Sequence, residues 1–234
     1  MESAPLEDHI ESALYVPDSE QFEVLNCISG LRHGFFLRVP GVDVNLDREG
    51  AIARLGKSHR AAISALGYTV QDVASAEQVH GNRVELVSKP GGFDSPVGGA
   101  DGLVTDRPGI LLAIMVADCC AVFMADKKGR GIALVHSGRQ GSEMGIVSRA
   151  ISAMGRLGIA SDDIVAVLSP CIRPPVYEQD FAATIRRDCL EGGIPASQVQ
   201  DQGTCTSSDL RRYYSYRCEA GKTGRMLALL GLRP

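Results

Sequence analysis

No apolar run in these 234 residues approaches the roughly 18–20 needed to span a bilayer. The longest, Ile110–Val116, has the length of a buried strand. Basic charge is not in excess either: 24 Lys and Arg stand against 28 Asp and Glu, for a formal net charge of −4. A broad nucleic-acid footprint, which needs a basic face, is therefore excluded, although a local Arg cluster around a small anion is not. The opening stretch MESAPLEDHIESALYVPDSE has no apolar core, so no secretory signal is expected. Internal repeats and low-complexity linkers are missing. The seven cysteines are an odd number and too sparse for a disulfide scaffold, so reduced thiols and a cytoplasmic location are expected. Partners are accordingly sought among small molecules, with no nucleic acid and no membrane, and the chain is expected to be a monomer or a small homo-oligomer.

With 44% apolar and 22% charged residues the chain has an ordinary globular mixture, and it is long enough to bury a core without staples. Residues 1–20 read as a mobile lead-in and 21–234 as a single domain. Glu23–Ser29 and Gly34–Arg38 suggest a hairpin, as do Val73–His80 and Arg83–Val87 around Gly81–Asn82. Arg48–Leu66 has helical apolar spacing and stops at Gly67. Lys89–Gly102 is a glycine-rich loop without the Gly-Lys-Ser/Thr ending of a phosphate loop. Gly102–Thr105, Ile110–Val116, Ala121–Ala125, Gly131–His136, Ile164–Leu168 and Met226–Leu230 read as strands. Gly141–Leu157, Tyr177–Leu190 and Ser207–Ala220 read as helices. Because regular βαβ alternation is missing, the fold class is α+β with mixed sheets.

Only five histidines exist, so each can be weighed. His9 falls in the lead-in, and His33 and His59 sit beside polar or charged neighbours, which predicts surface positions. His80 and His136 differ, since each ends a β-like run and is followed by Gly or Ser-Gly, in EQVHG and ALVHSG. Cys119 likewise ends the run ILLAIMVAD. Strand ends beside glycine turns commonly line clefts. Two imidazoles and a thiolate suit Zn²⁺ or Cu²⁺, and a fourth position left open is the mark of a catalytic site. The competing reading is packing, because the separations match no compact zinc motif. HSGRQGSEMG offers a helix N-terminus with Arg139 nearby, which is either an anion site or a plain strand-to-helix turn. The run DLRRYYSYRCEAGKTGRM gathers Arg211, Arg212, Arg217, Lys222 and Arg225 with three tyrosines, as a solvated basic face or an anion-contacting one.

Eight motifs then fall in one order. They are QVHG at 78–81, ADGLVT at 100–105, PGILLAIMVADC at 108–119, VHSG at 135–138, SPCI at 169–172 followed by Tyr177-Glu178, CT at 205–206, SYR at 215–217 and TGRM at 223–226. Together they resemble the YfiH family, also called the multicopper polyphenol oxidoreductase or purine nucleoside phosphorylase family, over about residues 30–230. The resemblance implies metal ligands at His80, Cys119 and His136, which with Asp118 are the expected catalytic residues. It also implies a layered α/β/β/α fold similar to the catalytic domain of cytotoxic necrotizing factor; the donor set suits zinc, with copper, the metal of the family's older label, as the alternative. Arg38, Gln78, Gly138, Arg139, Gly141 and Arg217 are expected to bind substrate. The family's HAGWRG is here HSGRQG and its SYRR is SYRC, so Gln140 and Cys218 replace arginines and phosphate-dependent chemistry is put in question.

Four functions follow as expectations. The first is a metal-dependent purine nucleoside enzyme that deaminates adenosine, or splits adenosine, inosine or methylthioadenosine with phosphate. The second is laccase-like copper oxidation of polyphenols, which five histidines serve poorly. The third is a metal-free Cys–His hydrolase acting on peptidoglycan precursors, and the fourth a degenerate paralogue that binds a nucleoside without turnover.

Overall fold

The computed structural model describes residues 15–233. His9 and most of the expected lead-in fall outside them, while its last two residues form strand β1 (Ser19–Glu20). Two mixed sheets lie face to face. The first has the order β1, β2 (Leu31–Phe36), β11 (Met226–Leu232), β6 (Leu111–Val116), β3 (Val73–Ser75). The second runs β10 (Val199–Asp201), β9 (Ile164–Leu168), β7 (Cys120–Asp126), β8 (Ile132–Ser137), β5 (Gly102–Thr105), β4 (Val84–Leu86). Strands buried on both faces read as continuous apolar runs, which is why the six strands expected from such runs all form.

Side chains alternate along each strand and so feed two cores at once. From β7, Ala121, Phe123 and Ala125 point between the sheets, where they meet Ala228 and Leu230 of β11. Cys120, Val122 and Met124 point outward, beneath helices α4 (Ile146–Arg156) and α5 (Phe181–Glu191). On the opposite outer face, Leu227 and Leu229 pack against Ala62 and Ile63 of helix α2 (Arg48–Ala65). The layers are thus helix, sheet, sheet, helix, the mixed α+β arrangement expected. Helix α2 begins where Asp47 accepts from the Gly50 amide at 2.8 Å and ends before Gly67, whose φ of +85° suits a residue without Cβ. No helix among the described residues is long and apolar enough to cross a membrane.

Several expectations fail for identifiable reasons. Glu23–Asn26 is a short helix, α1, rather than a strand, and β2 pairs instead with β1 and β11. Val73–Ser75 and Val84–Leu86 make no hairpin, because they lie in different sheets and the chain between them crosses from one to the other. Gly145, at φ +68°, breaks the expected helix Gly141–Leu157 into α3 (Arg139–Glu143) and α4. Helix α5 starts late, where Asp180 accepts from the Ala183 amide at 2.9 Å. Ser207–Ala220 is irregular beyond a single turn at Thr206–Ser208. Its backbone donors are claimed by carboxylates: Arg217 N–H donates to Asp118 and Ser215 N–H to Glu219. His33 and His59 are buried, at 3% and 2% exposure, rather than on the surface.

Candidate metal centre

One buried carboxylate organises the site. Asp101, just before β5, is fully enclosed. Its oxygens accept the backbone N–H groups of Val79, His80 and Gly81 at 3.2, 2.9 and 2.7 Å. They also take the Nδ1–H of His136 at 2.8 Å. The loop that carries His80 is wound round this carboxylate, with Gln78 at φ 64° and His80 at φ 61°, a region that costs ordinary residues energy. His136, at the end of β8, is held by Asp101 in one orientation, so that Nε2 is the nitrogen left for a ligand. The two imidazoles meet edge to face with centroids 4.9 Å apart.

Cys119 completes the group from the short crossover between β6 and β7. Asp118 precedes it at φ 74°, with its carboxylate bonded to Thr206 Oγ1 and to Arg217 N, each at 2.7 Å. Ligand atoms of His80, Cys119 and His136 all lie within 4.8 Å of one another, the one such group of three among the described residues. Burial alone would raise the Cys119 thiol, but the His136 charge and hydrogen bonds from both imidazoles outweigh it and bring the pKa down to about 6. Burial would depress His136; the Cys119 thiolate and Asp101 overcome this and lift it to about 9. The thiolate is the form that binds metal. A soft thiolate, a buried imidazole steered by a carboxylate and a second, exposed imidazole fit a four-coordinate ion with one position open.

The centre lies in a cleft of about 980 Å³. Of the residues expected at a substrate site, Gln78, Arg139 and Arg217 line this cleft. The Gln78 amide, however, is engaged by the backbone of Met115, donating at 2.5 Å and accepting at 2.9 Å. Arg139 pairs with Glu143 at 3.1 Å. Arg217 pairs with Glu178 at 3.0 Å and lies 4.8 Å over the Tyr177 ring. Arg38 lies elsewhere, bonded to Glu219 at 2.6 Å and stacked on Tyr214, so it braces the C-terminal segment. Gly138 leaves room for the thiol: a Cβ there would stand 2.5 Å from Cys119 Sγ. Gly141 is buried against the Gly81 loop. Asp118 fastens the C-terminal segment rather than a ligand ring, and the orienting role falls to Asp101. Asp101, Arg48, Phe181 and Tyr216 are the residues that sequence reasoning passed over. Of these, Asp101 alone left a signal, as an acid set against a fully buried strand.

The family model described as "Multi-copper polyphenol oxidoreductase laccase" matches residues 33–182 and 177–233. A purine nucleoside phosphorylase of Deinococcus radiodurans is 34% identical over 233 residues, covering 86% of this chain and 88% of that protein. Another, of Mycobacterium tuberculosis, is 38% identical over 148 residues, which is 63% of this chain and 57% of the relative, so little more than half of that protein's length is matched. Among solved structures, YlmD from Geobacillus stearothermophilus superposes with a TM-score of 0.78 at 26% identity, over 89% of this chain and 94% of that one. The Bacillus licheniformis protein YfiH does so with 0.77 at 24% identity, over 87% and 93%, a likeness of fold. With its family model matched almost from end to end, and with a relative similar over most of both lengths, the chain belongs to the YfiH family, whose model carries that description.

Proposed function

We propose that this protein is a metal-dependent purine nucleoside enzyme. It would convert adenosine and water to inosine and ammonia, or split adenosine, inosine or methylthioadenosine with phosphate into base and pentose 1-phosphate, or both. The observation that carries this is the convergence of His80, Cys119 and His136 on one cleft whose lining also includes aromatic rings and arginines. The names of the relatives support the same substrate class.

Zinc or copper held by the three ligands would act as a Lewis acid on a substrate oxygen or on water. Asp101 keeps His136 Nδ1 protonated and Nε2 directed at the cleft. Tyr177 and Tyr216 offer ring surface to a purine, and the cleft arginines offer donors to ribose hydroxyls and anionic oxygen. The volume is that of a small-molecule site. The seven free cysteines suit a reducing compartment. We place the protein in the cytoplasm, as one domain over residues 21–234.

A second reading rests on the low Cys119 pKa, since a thiolate beside an imidazolium is also a nucleophile. Multicopper oxidation is disfavoured, because such a relay needs further ligand clusters and the described residues hold one. Purified protein should be assayed on the three nucleosides with and without phosphate, with Cys119→Ala as control and with metal analysis. Ammonia or free base above the control supports the nucleoside reading. No turnover on any of them defeats it, and thiol-dependent activity indifferent to chelators would favour the hydrolase.

A further inference from the structure

Arginines are numerous at the cleft, but their partners differ. Arg139 is neutralised by Glu143 and Arg217 by Glu178. Arg48 and Arg225 also line the cleft, and among the described residues neither has a carboxylate within ion-pair distance. Arg48, the first residue of α2, gives one guanidinium nitrogen to the Glu77 carbonyl at 3.0 Å. Arg225, just before β11, gives only Nη1, to the Thr223 and Gly224 carbonyls at 2.9 Å each. Those bonds fix the plane of the Arg225 guanidinium and leave Nε and Nη2 without protein partners. Burial, and then the charge of Arg48, hold Arg225 below its usual pKa, against the opposing charges of Cys119 and Asp118. Arg225 precedes Met226, which pairs with Val116 on the strand that leads to Cys119, and Arg48 holds the Glu77 carbonyl on the run that leads to His80, so both stand beside the metal centre.

Two guanidinium groups in one cleft, neither of them ion-paired to a carboxylate, repel one another. An anion between them removes that repulsion and takes up the unused donors in the forked geometry that suits phosphate oxygens. We propose that Arg48 and Arg225 form a phosphate subsite beside the His80–Cys119–His136 centre. This rests on the nucleoside reading above and adds to it which part of the cleft takes the anion. The same donors fit inorganic phosphate or the phosphoryl group of a nucleoside 5′-monophosphate.

The test is calorimetric titration of the metal-loaded, full-length protein in a phosphate-free buffer. Inorganic phosphate, adenosine 5′-monophosphate and adenosine are titrated separately into wild type, Arg48→Gln, Arg225→Gln and, as control, Arg211→Gln. Charge-assisted hydrogen bonds predict that each cleft variant weakens the phosphate-bearing ligand by about tenfold or more. Adenosine binding and the Arg211→Gln protein should stay as in wild type. Arg48 is exposed and its replacement leaves the core intact, so it decides the matter if Arg225→Gln folds poorly. A response to inorganic phosphate identifies a co-substrate site, and a response to the monophosphate alone identifies the substrate's own phosphoryl group. Both uphold the subsite. Equal phosphate affinity in wild type and Arg48→Gln, or no binding of either phosphate ligand to wild type, overturns it. The readout needs no turnover, so an inactive protein whose phosphate binding still depends on Arg48 would defeat the nucleoside reading and leave the subsite standing.

Discussion

At the scale of single residues, the site depends on atoms that never face the cleft. Asp101 holds three amides and one imidazole, so Asp101→Asn should weaken metal binding roughly 10–100-fold, as loss of an orienting carboxylate does. Competition with a chromogenic chelator measures this, and unchanged affinity would refute the assignment. Gly138→Ala should displace the Cys119 sulfur, since the new Cβ would sit 2.5 Å from it. Metal binding should fall sharply, while overpacking costs about 1–3 kcal/mol of stability in urea unfolding. The buried histidines give a pH signature. Burial lowers His33 and His59 from 6.5 to about 4. Above pH 6.5 both are neutral in the folded and unfolded chains, so stability is complete. As pH falls from 6.5 towards 4, the unfolded chain takes up protons that the folded chain refuses, and each histidine then withdraws up to about 3 kcal/mol. Urea unfolding at stepped pH should show that decline, and His33→Gln should remove its share. A slope that the substitution leaves unchanged would count against the account. The metal ligands were legible because histidines are few and because the motifs kept their order. Asp101 was not, since a carboxylate that serves backbone amides carries no spacing of its own, and Arg48 looked like any charged residue opening a helix.

Among the elements, legibility followed burial. The doubly covered strands declare themselves as apolar runs, and α2 by its period and its glycine stop. Pairing did not show. Val73–His80 and Arg83–Val87 look like two arms of a hairpin, and only the wrap of residues 79–81 around Asp101 reveals that the chain is changing sheets. Ser207–Ala220 has the composition of a helix, yet Asp118 and Glu219 capture its donors and Tyr214 is drawn into the core. The break at Gly145 is testable. Its φ of +68° disfavours any residue with a Cβ, so Gly145→Ala should destabilise the protein by about 1–2 kcal/mol although nothing lies within 4 Å of the added methyl. A neutral result in urea unfolding would mean that α3 and α4 tolerate a rearranged junction.

For the molecule as a whole, the centre sits where the two sheets are joined. Cys119 belongs to the three-residue link from β6 in the first sheet to β7 in the second, and His136 ends β8 in the second. His80 lies on the crossing between β3 and β4, again from one sheet to the other. An ion shared by these three would therefore tie together both crossovers and the sheet edge they face, which are far apart in the chain and have no disulfide between them. Binding of this kind stabilises the folded state alone, because the unfolded chain does not hold the ligands together. At a free metal concentration about 100 times Kd the gain is about 2.7 kcal/mol. For a domain of this size that corresponds to a rise in Tm of roughly 5–10 °C. Thermal unfolding of wild type with zinc, with copper and after chelation should show this rise, and the ion that gives the larger one is the better fit to the site. Cys119→Ala should abolish the rise, measured against the chelated variant's own Tm, because it removes the sulfur ligand. If the metal left Tm where it was in wild type, the three side chains would be neighbours without a common ion, and the joint between the sheets would rest on Asp101 and the apolar core alone.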